Sequence, residues 1–289
     1  MIGIDNFSPY YDPQLKEARA KILGEIPGFT MVRGDILDRD LVKENMKGVD
    51  RVCHLAALAG VRYGFEHPGE YIDTNILGTY HIFDEARMQE IPGVTYASSS
   101  SVYGNNDKLP SSEDDRTDRQ ESIYGMTKKD NELMAYTYNS SYGLPLTGLR
   151  FFTVYGTWGR PDMALFLFTD AILHDRPIKV FGYGKHKRDF TYVDDIVSGV
   201  VASIDKNYDF EVFNLGCGQQ EELMEYIRLI EETCGKEAEK EMLPVQPGDV
   251  LETSADISKA QKMLGFNPKT MIKEGVPKFV GWYREYYKI

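Results

Sequence analysis

A chain of 289 residues with 42% apolar and 27% charged residues has the composition of a folded globular protein of one large or two modest domains, which excludes a disordered tail or a collagen-like rod. Its 33 Lys and Arg against 45 Asp and Glu give a net charge of −12, which disfavours nucleic acid as a partner and leaves only local basic pockets for anions. The three cysteines, Cys53, Cys217 and Cys234, suit the reducing cytoplasm, and the absence of a signal-peptide pattern or of an apolar run near the ~18 residues of a membrane span argues against membrane association.

In chain order, short apolar runs at 2–5, 29–33, 49–55, 94–98 and 146–151 predict strands. Between them, apolar residues at three- and four-residue intervals predict helices near 13–23, 38–46, 70–88 and 124–141. Strands alternating with helices predict an α/β fold, a doubly wound parallel sheet covered by helices. Beyond 151 the pattern loosens into loops rich in Gly, Pro, Arg and aromatics, with helices expected near 164–174, 193–205, 221–234, 257–264 and 272–287. Residues 1–155 are therefore expected to form the first domain and 156–289 mainly a smaller mixed α/β lobe, with segments near 188–216 returning to the first domain.

The chemistry is concentrated in Tyr124-Gly-Met-Thr-Lys128 and in Ser98-Ser-Ser-Ser101 at the end of an apolar strand. A Tyr and a Lys four residues apart share one helix face, so the ammonium is expected beside the phenol, favouring its ionised form. A free phenol has a pKa near ~10, too high for a base at neutral pH without such help. A neighbouring serine hydroxyl can share the same proton. The five histidines show no ligand spacing, and His54 beside an apolar strand reads as a satisfied core residue, so no metal is expected.

With these residues in place the chain resembles the extended short-chain dehydrogenase/reductase (NAD-dependent epimerase/dehydratase) family, and within its nucleotide-sugar epimerases most closely the UDP-glucuronate 4-epimerases. The resemblance is carried by Gly3-Ile-Asp-Asn6, Tyr10-Tyr-Asp12, His54-Leu-Ala-Ala57, Ala59-Gly-Val-Arg62, Tyr96 to Gly104, Arg150 to Gly156, Gly159 to Ala164, Lys187 to Asp195, Phe213 to Gly216 and Pro247-Gly-Asp249. It implies a Rossmann-like NAD-binding domain, with Tyr124 as base, Lys128 as its partner and nicotinamide-ribose ligand, and Ser99 as the assisting hydroxyl. It further implies Asp5 on the adenosine ribose, favouring NAD over NADP, with Asn6 beside it. Asp35 and Ile36 would lie near the adenine, and Leu55, Ala56 and Ala57 beneath the cofactor; Asn75 stands among these contacts with a structural role as the stronger reading.

For a UDP-sugar substrate the same resemblance places Arg188 on the pyrophosphate, Arg62 and Arg160 where a uronate wants positive charge, Ser100 and Ser101 beside the sugar, Thr153 and Asn214 as further contacts and Asp249 on the uridine ribose. The implied reaction is 4-epimerisation of UDP-glucuronate to UDP-galacturonate through a transient 4-keto sugar. UDP-glucose 4-epimerisation, or a non-catalytic nucleotide-sugar-binding relative, are the alternatives. A homodimer through the helices near 70–88 and 124–141 is implied as well. One departure stands out: the glycine-rich phosphate turn has no counterpart here, and family members carry roughly 30 residues ahead of Ile2 for a first strand, turn and helix. The fold is therefore expected truncated at that strand, with unpaired backbone on two neighbouring strands, and inactive without the turn.

Overall fold

The computed structural model describes residues 1–106 and 108–289. In the first half, β1 (Ile2–Asp5), α1 (Pro13–Gly24), β2 (Thr30–Arg33), α2 (Arg39–Asn45), β3 (Val52–His54) and short helices α3 (Val61–Glu66) and α4 (Pro68–Tyr71) follow in order. A π-helical turn (Ile72–Leu77) then leads into α5 (Gly78–Met88), β4 (Val94–Ser99), α6 (Ile123–Tyr142) and β5 (Leu146–Phe151). Helix boundaries follow local chemistry: Asp12 caps α1 ahead of Pro13, and Asp38 accepts the Leu41 amide at 3.0 Å to start α2. Gly143 ends α6 in the left-handed region at φ 68°.

The second half adds β6 (Thr153–Tyr155), α7 (Ala164–Leu173), β7 (Ile178–Val180), β8 (Lys187–Arg188), β9 (Phe190–Tyr192), α8 (Val193–Lys206) and β10 (Phe210–Leu215). It closes with β11 (Glu221–Glu222), α9 (Leu223–Cys234), β12 (Lys240–Met242), α10 (Ser258–Leu264) and α11 (Ile272–Tyr287). The central sheet is parallel in the order β10-β5-β4-β3, with Val94 and Phe210 both opposite Leu146. Its strands β4 and β5 are buried almost throughout, as continuous apolar runs shielded on both faces must be.

Apolar clusters lie on both faces of this sheet, Phe83, Tyr96, Ala135 and Leu146 in one, and Leu149, Ile196, Phe213 and Leu264 in another. This is the Rossmann-like, doubly wound arrangement, accompanied by additional mixed α/β elements. A third cluster, with Phe166, Tyr226, Phe279 and Tyr283, fills the space between α7, α9 and α11. The β1–β2 pair forms a separate parallel unit, and among the described residues β1 and β3 share no ladder.

Two local features differ from the sequence reading. The helix expected at 70–88 is interrupted by the π turn, whose extra residue per turn redirects the Asn75 carbonyl to accept the Thr79 hydroxyl at 2.6 Å and the Asn131 amide at 2.8 Å. The stretch beyond 151, expected as a mixed α/β lobe with no strand located in it, contains seven strands, β6–β12. Most are two or three residues long, too short for a two-residue periodicity to register. No described helix is long and apolar enough to cross a membrane.

Candidate active site

The site begins at the first turn of α6. Ser122 caps the helix by accepting the Gly125 amide at 3.0 Å, which fixes the direction in which Tyr124 leaves it. One turn on, Lys128 is buried and donates to the Ala97 carbonyl of β4 at 2.8 Å. Between them the Thr127 hydroxyl donates to the Tyr124 carbonyl at 2.9 Å and accepts the Asn75 amide at 3.0 Å. Asn75 also donates to the Leu58 carbonyl and accepts the Leu58 amide, at 2.9 and 2.8 Å. It therefore ties the 55–60 loop to α6, and its side-chain polar atoms are engaged by protein.

At the end of β4, Ser99 accepts the Ser101 amide at 3.1 Å and so caps the short helical turn Ser100–Tyr103, leaving Ser100 and Ser101 half-buried beside it. Beneath this strand end, Glu132 accepts the Ser98 hydroxyl at 2.7 Å and receives Arg150 through two nitrogens at 2.8 and 2.9 Å. Arg150 also donates to the Tyr103 hydroxyl at 2.9 Å, which donates in turn to Asn214 at 2.7 Å. Asn214 is wholly buried, its amide spent on the carbonyls of Ser111 and Asp256, so it braces the wall from behind. The Glu132–Arg150 pair is a part of the site that the sequence reading missed; the only signal was an arginine inside the otherwise uncharged strand 146–151.

The electrostatics differ from the expected ammonium-assisted phenol. Burial pushes Tyr124 above its ordinary value, opposed by the Ser99 hydroxyl and by the positive charge of Arg160. Burial also lowers Lys128 from 10.5 to about 8. The lysine is aimed at a backbone carbonyl and itself resists charging, so Ser99 and Arg160 are the groups that favour the phenolate. His54 is likewise buried, held neutral by burial down to about 3, with Nε2 3.0 Å from the Thr79 hydroxyl.

A cavity of about 390 Å³ opens between the ends of β1, β2 and β3. Asp5, Asn6, Asp35, Ile36, Leu55, Ala56 and Ala57, all expected there, line it together with Arg160. Its chemistry suits two ends of a dinucleotide: carboxylates on β1 and β2 termini for ribose hydroxyls and an adenine amine, and small apolar side chains under a ring. Lys16, unremarked in the sequence, also lines it and donates to the Ser8 carbonyl at 2.9 Å. Among the described residues no cluster of His, Cys, Asp and Glu has the form of a metal site.

Thr153 and Arg160 line a smaller space of about 40 Å³. The remaining expected residues form a second group. Arg62 stands 3.8 Å from Asp249 and lies over the Phe181 ring at 4.5 Å, while Arg188 donates to the Leu251 carbonyl at 2.8 Å. Burial lowers Arg188, and Asp249 opposes that shift. Two arginines near one carboxylate, Asp249, fit an anionic ligand; Phe181, under Arg62, was not anticipated.

Residues 1–216 match the model of the NAD dependent epimerase/dehydratase family, and the chain belongs to that family. It is 50% identical over 287 residues to an uncharacterized protein of Methanocaldococcus jannaschii, covering 99% of this chain and 88% of the relative. It is 45% identical over 307 residues to UDP-glucuronate 4-epimerase 4 of Arabidopsis thaliana, covering 99% of this chain and 70% of that protein. The crystal structure of UDP-glucuronic acid 4-epimerase from Bacillus cereus, in complex with UDP-glucuronic acid and NAD, superposes with a TM-score of 0.95 at 34% identity, covering 99% of this chain and 91% of that one.

Proposed function

We propose that this NAD-dependent epimerase of a UDP-sugar interconverts UDP-glucuronate and UDP-galacturonate, inverting C4 by transient oxidation. The observation that carries the uronate is Arg160: it lines the cavity, and its charge reaches the Tyr124 phenol. A cation at the reacting end of the site suits a sugar that ends in a carboxylate. NAD is the cofactor. When bound it accepts hydride from C4 and returns it to the opposite face of the sugar.

In this reading Asp5, Asn6 and Asp35 hold the adenosine end and Lys128 the nicotinamide ribose. Tyr124 takes the C4 hydroxyl proton, with Ser99 sharing it. The ketone at C4 makes the uronate a β-keto acid, which loses carbon dioxide when its carboxyl bond stands perpendicular to the ketone plane. Ser100, Ser101 and Arg160 hold that carboxylate away from this alignment. Arg62, Arg188 and Asp249 take the UDP part, so residues 1–155 serve mainly the cofactor and 156–289 mainly the sugar nucleotide. A cytoplasmic homodimer belongs to the same reading, supported by exposed Leu77, Met88, Leu133 and Tyr136 on and beside α5 and α6.

The test is to fuse the glycine-rich strand, turn and helix of a family relative ahead of Ile2, incubate that protein with NAD and UDP-glucuronate and follow the sugar by proton NMR. The reading expects UDP-galacturonate and little pentose product, with Arg160→Ala shifting product toward the pentose. Faster turnover of UDP-glucose would instead favour the neutral-sugar epimerase. Binding of sugar nucleotide without turnover would favour a non-catalytic module.

A further inference from the structure

Arg160 does not stand free in the cavity wall. Its Nε lies 3.2 Å from Asp162 Oδ1, and the other oxygen of that carboxylate, Oδ2, accepts the Tyr10 hydroxyl at 2.7 Å. Both oxygens of Asp162 are thus engaged, one by the arginine and one by a residue 152 positions away. The terminal edge of the guanidinium is left for a ligand: among the described residues Nη2 meets only the Met163 sulfur at 3.3 Å, a weak acceptor that a carboxylate displaces readily.

Tyr10 is itself fixed from the cofactor side. Asp5 accepts the Phe7 amide at 2.7 Å, Asn6 accepts the Ser8 amide at 2.9 Å and donates to Asp35 at 2.8 Å, and Ser8 accepts the Tyr10 amide at 3.3 Å. These turns bring the ring against Tyr63, with centroids 4.9 Å apart, and against Gly60, where a β-carbon would collide with the Tyr10 hydroxyl. The loop bearing Arg160 is held from the same side, because Arg19 donates to the Trp158 and Gly159 carbonyls.

We propose that Tyr10 and Asp162 are positioning residues that present the Arg160 guanidinium to the carboxylate of the sugar and so help set the preference for a uronate. This rests on the role given to Arg160 under the proposed function. Tyr10 also lines the cavity, and in this proposal its hydroxyl acts through Asp162 on the arginine. The mechanism is geometric: a carboxylate pinned on one oxygen by the tyrosine offers the other in one direction only, which fixes the plane of the guanidinium.

The test is calorimetric titration of the NAD-supplemented chain with UDP-glucuronate and, separately, UDP-glucose, for the wild type, Tyr10→Phe, Arg160→Ala and the double variant. Tyr10→Phe keeps the ring and every charge, and is expected to weaken UDP-glucuronate binding about five-fold while leaving UDP-glucose unchanged. In the Arg160→Ala background the tyrosine change is expected to be silent. Equal weakening for both sugars, no weakening for either, or a Tyr10→Phe effect that persists without Arg160 would each overturn the proposal. If Arg160→Ala itself leaves the uronate-to-hexose affinity ratio unchanged, the role of Arg160 fails and this inference falls with it; a loss of the ratio in Arg160→Ala but not in Tyr10→Phe defeats this inference alone.

Discussion

Gly125 packs against the backbone of Ser101 so closely that a β-carbon on it would lie 2.7 Å from the Ser101 carbonyl oxygen. The first turn of α6 can therefore approach the serine turn after β4 only because residue 125 has no side chain, and that approach sets the distance between Tyr124 and Ser99. Gly125→Ala must push the two elements apart against backbone that cannot yield cheaply. We expect turnover to fall at least ~10-fold with a stability loss of about 1–3 kcal/mol. Steady-state kinetics beside a thermal melt checks this; an alanine variant with wild-type turnover would show that the contact does not set the geometry.

Tyr124→Phe removes the hydroxyl proposed to take the substrate proton while keeping the ring. Turnover is expected to drop ~100-fold or more, with sugar-nucleotide affinity nearly unchanged. A comparable loss in affinity, measured by calorimetry, would mean that the phenol mainly binds.

Glu132 and Arg150 are both about 5% exposed in their side chains and make a two-point ion pair. Glu132→Gln leaves the guanidinium buried without its counter-charge, which is expected to cost about 3–5 kcal/mol of stability. The pair Glu132→Gln with Arg150→Met should recover part of that loss. Denaturant melts of the two single variants and the double variant measure the coupling, and strict additivity would contradict it.

The Lys128 ammonium gives stability a definite pH dependence. Its folded-state value is about 8, below the ordinary 10.5. Between these values the unfolded chain keeps a proton that the folded chain has released, so stability rises as pH climbs from about 8 to 10.5. The penalty for burying the charge, at most ~3 kcal/mol, is fully present below the folded value. Lys128→Met should lack this rise and be relatively more stable at pH 7; because burial raises Cys53, Cys217 and Cys234 from 9.0 to about 11 and so pulls stability down over the same window, the difference between the two proteins isolates the lysine. Urea melts at several pH values decide it; an equally steep rise in the methionine variant would place the titration elsewhere.

The wider lesson lies in which residues were legible. Periodicity alone located the core strands 94–99 and 146–151 and the helices at 13–24, 123–142 and 272–287 to within a residue or two, because continuous apolar runs and three-to-four spacing follow directly from burial on two faces or one. The pairing of Tyr124 with Lys128 on one helix face was equally legible. Their protonation was not: spacing suggested an ammonium lowering a phenol, whereas burial, a property of the whole packed site, raises the tyrosine and lowers the lysine.

Sequence by itself determined the α/β alternation, the family, and the residues able to do the chemistry, since hydrophobic patterning and short motifs are properties of neighbouring positions. Only the tertiary structure decided that Asn214 stands behind the site, that Glu132 meets Arg150, and that Tyr10 reaches Asp162 across 152 positions. Such partners are chosen by how strands and helices pack in space, and each buried polar atom must find whichever donor or acceptor that packing brings near.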